Sequence, residues 1–71
     1  MNRLNNGTQY RATPTGYLLR RGKRSIYINA KSVNAGDKAR DLMANKSFNQ
    51  LFLQAHPVHL LGANARAIKL D

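Results

Sequence analysis

Tyr17-Leu18-Leu19-Arg20-Arg21-Gly22-Lys23-Arg24-Ser25-Ile26-Tyr27-Ile28-Asn29 is the stretch that decides the fold. Two runs of strand-forming residues flank the Gly-bearing connection Arg21-Gly22-Lys23, which is the pattern of a hairpin. The returning run, Arg24 to Asn29, alternates with period two. Ile26 and Ile28 fall on one face, and Ser25, Tyr27 and Asn29 on the other. Immediately upstream, Thr13-Pro14-Thr15-Gly16 is a turn, because Pro presets one dihedral and Gly permits a positive one. Thr8 to Thr13 before it carries strand formers. The three runs predict a three-stranded antiparallel meander over about residues 8–30, which stands in water only if something covers its apolar face.

Downstream the period changes from two to that of a helix. Asn34-Ala35-Gly36-Asp37 offers an Asn or Asp cap, and Ala39, Leu42 and Met43 follow at i, i+3, i+4. Ser47-Phe48-Asn49-Gln50 matches a capping box. Phe48, Leu51, Phe52 and Ala55 form the stripe of a second helix, stopped by Pro57. Two helices within 37–55 are favoured over one long helix with Ser47 exposed inside it. Val58 to Leu61 is a short apolar segment closed by Gly62. Residues 63–70 suit either element; the shared parity of Arg66, Ile68 and Leu70 and the β-branched Ile favour a last strand. The expectation is a two-layer α+β domain over residues 8–71, its helices covering the face with the two Ile, behind a flexible polar start at 1–7.

Composition sets the partner. Twelve Lys and Arg stand against three acids in 71 residues, a net charge of +9, while 42% hydrophobic residues argue for a folded body and not a solvated tail. The charge is uneven. Residues 1–31 hold Arg3, Arg11, Arg20, Arg21, Lys23, Arg24 and Lys31 with no acid, and residues 32–71 hold five cations against Asp37, Asp41 and Asp71, so +7 and +2 sum to +9. Such a surface attracts polyanions, nucleic acid first. A chain this short buries only about 60% of its unfolded surface, so its core gains from a partner or a homodimer. No apolar run is long enough for a membrane span, and Met1 to Gly7 does not read as a secretory signal. With no Cys, disulfides, thiolate metal sites and Cys catalysis fall away, which fits a reducing cytoplasm.

Arg20, Arg21, Lys23 and Arg24 form the strongest constellation, four cations at a hairpin tip. Like charges this close repel unless something anionic compensates. Arg offers a planar fork of donors to phosphate, with Arg11 and Lys31 extending the patch. Tyr10, Tyr17 and Tyr27 lie on the predicted strands of the same half. Tyr27, opposite in parity to Ile26 and Ile28, is the one expected to face away from the core and to offer a stacking surface.

Other constellations are weaker. The helical pair is a poor helix-turn-helix, because the second helix has no Lys or Arg to hold DNA. His56 and His59 are two ligands where a metal site needs three or four, so no metal or other cofactor is expected. No catalytic arrangement has specificity; a toxin-type ribonuclease using Arg20, Arg24, Tyr27 and His56 is the remote enzymatic reading. No segment carries a family motif, although size, charge and pattern resemble in style the short accessory proteins of phages and mobile elements. The sequence therefore points to a cytoplasmic nucleic-acid-binding accessory or regulatory protein that is not an enzyme, DNA and RNA being equally open. An inhibitor or adaptor docking its basic hairpin on an acidic protein face is the alternative.

Overall fold

A computed structural model describes residues 2–3, 7–58 and 64–70. In chain order the elements are β1 (Asn2–Arg3), β2 (Gln9–Thr13), β3 (Gly16–Arg21), β4 (Arg24–Asn29), α1 (Val33–Asn45), α2 (Phe48–Gln54), β5 (His56–Pro57) and β6 (Ala65–Lys69). The strands form one sheet in the order β1-β2-β3-β4-β6-β5. All neighbours are antiparallel except β4 and β6, which run parallel. A parallel pair needs a long crossover, and the two helices supply it between β4 and β6. The expected α+β domain, with its three-stranded meander, helical cover and C-terminal strand, is therefore the observed one. The structure adds the two short edge strands β1 and β5.

Both turns of the meander follow from glycine. Thr13 and Gly16 are paired across Pro14-Thr15. Gly16 has φ 146°, and a Cβ there would fall 1.9 Å from the Ile28 carbonyl oxygen, so β4 crosses where only glycine fits. Gly22 has φ 60°, and among the described residues none other than glycine has a positive φ. That is the pattern of a two-residue turn with Gly first. The connection is thus Gly22-Lys23, shorter than the three residues expected, and Arg21 and Arg24 become directly opposed strand residues.

The helices begin and end at identifiable caps. α1 starts at Val33, four residues before the expected Asp37, because the Ser32 hydroxyl accepts from the Ala35 N–H at 3.1 Å and takes the cap from Asn34 and Asp37. Asp37 instead lies within the helix and pairs with Arg40. Lys46 and Ser47 are both extended, which separates the two helices. The Ser47 hydroxyl accepts from the Gln50 N–H at 3.2 Å, and the Ser47 N–H donates to Gln50 Oε1 at 3.0 Å. This reciprocal pair is the capping box legible in the sequence.

Leu19, Ile26, Ile28 and Ile68 from the sheet join Ala39, Met43, Phe48, Leu51, Phe52 and Ala55 in one buried cluster. Leu19 opposes Ile26 and Ile28 opposes Ile68, so the sheet contributes to this core from a single face. Each fully buried large side chain among them stabilises the fold by about 1.5–3 kcal/mol. The opposite face carries Gln9, Arg11, Thr13, Leu18, Arg20, Ser25, Tyr27, Asn29, Ala67 and Lys69. Neither helix covers it.

Candidate nucleic-acid interface

The strands separate the predicted cations by parity. Arg20 and Arg21 are consecutive in β3 and therefore project from opposite faces. Arg20 stands on the open face, whereas Arg21 and Arg24 stand on the helix side. Arg21, Lys23 and Arg24 are exposed and line a groove of about 500 Å³ with Phe48, Asn49 and Asn64. Lys31 follows the far end of β4, roughly 20 Å along the chain from Arg24 at about 3.3 Å per residue. It borders a different groove, with Tyr17 and Arg40. The seven sequence candidates thus occupy three places: the tip groove, the open face with Arg11, Arg20 and Tyr27, and the far end with Lys31.

The three tyrosines are divided in the same way. Tyr10 and Tyr17 pack against the core cluster, and the Tyr17 hydroxyl accepts from Arg40 at 3.3 Å. That hydrogen bond, then the charges of Tyr17 and Asp37, push the Arg40 pKa above its already high ordinary value. Tyr27 alone of the three belongs to the open face. It sits in a row that crosses the sheet, Arg11–Leu18–Tyr27–Ala67–His56, one residue from each of β2, β3, β4, β6 and β5.

Arg66 joins the site although it is not among the residues the sequence singles out for it. It lies opposite Ile26 on the core face. Its guanidinium is 4.3 Å from the Phe52 ring centroid, and Arg24 is 5.1 Å from the same ring. Arg66 Nη1 donates to the Phe52 carbonyl at 2.9 Å, and its Nε is buried with no partner among the described residues. The signal was present in the sequence, as a cation sharing the parity of Ile68.

The remaining candidates are dispersed. His56 is exposed in β5, directly after the C-cap of α2, and His59 lies outside the described residues. The described residues hold no group of three or more His, Cys, Asp or Glu. Of the four ribonuclease candidates, Arg20, Tyr27 and His56 share the open face, and Arg24 is across the sheet from them. On α2, Asn49, Gln50 and Gln54 are exposed, and the helix itself carries no cation. No helix among the described residues is long and apolar enough to cross a membrane.

The arrangement defines a small α+β domain with an open mixed sheet, helices on one face and cations on both. No protein family, curated protein or solved structure matches the chain.

Proposed function

We propose that this protein is a nucleic-acid-binding accessory or regulatory factor of the cytoplasm, without catalytic activity, that grips phosphates through its basic sheet and β3–β4 hairpin. One observation carries the reading. Among the described residues no Asp or Glu lies on a strand, while Arg11, Arg20, Arg21, Lys23, Arg24, Arg66 and Lys69 all lie on β2, β3, β4, β6 or the tip between them. Asp37 and Asp41 belong to α1, where Asp37 is already paired with Arg40. Cations held in place without counter-charges raise a positive potential that a phosphate backbone neutralises, releasing its counterions.

The test is a titration of fluorescent single-stranded and duplex oligonucleotides at low and high salt. Binding weakened steeply by salt, and by joint substitution of Arg20, Arg21, Lys23 and Arg24 with Ala, is the expected result. No binding of any oligonucleotide at low salt would overturn the proposal. One stoichiometric acidic protein captured from nuclease-treated lysate would then assign the surface to a protein partner.

A further inference from the structure

We infer that the open face of the sheet is a platform for an unpaired polynucleotide strand, with Tyr27 as the base-stacking ring and Arg20, Lys69 and Arg11 as its phosphate contacts. The inference rests on the nucleic-acid reading above and names the class of nucleic acid and the face that takes it. Tyr27 lies on β4, near the middle of the sheet. Its direct cross-strand neighbours are Leu18 and Ala67, and Ser25 and Asn29 flank it on its own strand. Four of the eight positions around it carry only small side chains, Gly16, Ser25, Ala65 and Ala67; Ala65 is buried, and Tyr27 itself is half-buried.

The charges lie where a strand would need them. Arg20 and Lys69 occupy opposite diagonals of Tyr27, each about 7–8 Å away between backbones. Both are exposed. A chain running from Arg20 over Tyr27 to Lys69 meets cation, aromatic and cation in turn, and Arg11 flanks it one strand beyond Leu18. This alternation of charge and π-face is the requirement for holding single strands, because the backbone needs the charge and the base needs the ring.

Pairing state follows from the same geometry. In a duplex the base faces are stacked on one another and cannot meet a ring lying on a sheet. Tyr27 therefore has a use only for unpaired bases, whereas the tip groove, with cations and amides, serves any phosphate. The described residues of the face include no carboxylate, so it complements a polyanion better than a second copy of this equally basic chain.

The experiment measures anisotropy of labelled twelve-residue oligothymidylate, the matching oligouridylate and a hairpin duplex, against wild type, Tyr27→Ala, Tyr27→Phe and Lys69→Ala. Tyr27→Ala is expected to weaken single-strand binding about tenfold and to leave duplex binding nearly unchanged. Tyr27→Phe keeps the affinity. The DNA and RNA arms identify which sugar is preferred. Tyrosine emission gives a second readout that does not depend on the alanine variant folding. The chain has three Tyr and no Trp, and Tyr10 and Tyr17 are on the other face, so single strands should quench wild type and not Tyr27→Phe. Single-strand affinity indifferent to Tyr27→Ala, together with no quench, would overturn the platform while leaving the nucleic-acid reading intact. A dimer by sedimentation that Tyr27→Ala dissociates without loss of oligonucleotide affinity would assign the face to a second copy.

Discussion

Salt concentration is the perturbation that counts the cations a bound strand engages. On the open face the proposed phosphate contacts are Arg11, Arg20 and Lys69. Each neutralised phosphate of a single strand contributes about −0.7 to the slope of log affinity against log salt, so three give about −2.1. Raising salt from about 50 to about 200 mM should then weaken binding roughly 20-fold. If the strand also wraps the tip and engages Arg21, Lys23 and Arg24, six contacts give a slope of about −4.2 and a loss of roughly 300-fold. The assay is anisotropy of a labelled single strand at four or more salt concentrations, on wild type, Lys69→Ala and Arg21→Ala. Lys69→Ala should make the slope shallower by about 0.7. Arg21→Ala should do so only if the tip is wrapped. A slope near zero, or one that Lys69→Ala leaves untouched, would refute the placement of phosphates on this face.

Three further outcomes concern the scaffold. Gly16→Ala combines a positive φ with a Cβ 1.9 Å from the Ile28 carbonyl; it should cost about 3 kcal/mol or more, a large share of the roughly 4–10 kcal/mol expected for a chain of this length. A urea midpoint close to wild type would contradict that packing. Arg66→Ala removes a charged donor from the Phe52 carbonyl and a cation from its ring, and should destabilise by about 1–3 kcal/mol in the same denaturation assay. Arg21→Ala should be neutral or slightly stabilising, because Arg21 faces Arg24 directly and like charges so placed repel by about 0.2–1 kcal/mol. A marked fall in thermal midpoint for that variant would mean that Arg21 is structural.

Much of the architecture was legible because its causes are local. The alternation of Ile26 and Ile28, the Gly22 turn and the Ser47–Gln50 box each act within a few residues, and each element formed where its signal lay. The start of α1 was misplaced because Asn34 and Asp37 are also good caps, and only the backbone at Ser32 decides which one is used. The candidate site was legible in residue type and less so in place. Arg20 and Arg21 read as one cluster as long as Arg21 is taken for a turn residue; once β3 includes it, strand parity sends the two to opposite faces. Lys31 looks close to Arg24 in sequence, but an extended strand carries it to the other end of the sheet.

Local chemistry, readable from the chain alone, determined three strands, two helices, an excess of cations without acids in the first half, and a Tyr27 turned away from Ile26 and Ile28. The tertiary structure alone decided that β6 inserts beside β4 in parallel, which sets Arg66 opposite Ile26 and Lys69 opposite Asn29. The physical reason is that alternation states which residues share a face, but not which strand lies next to it or what covers it. Those choices come from burying Leu19, Ile26, Ile28 and Ile68 against α1 and α2, contacts between residues far apart in the chain.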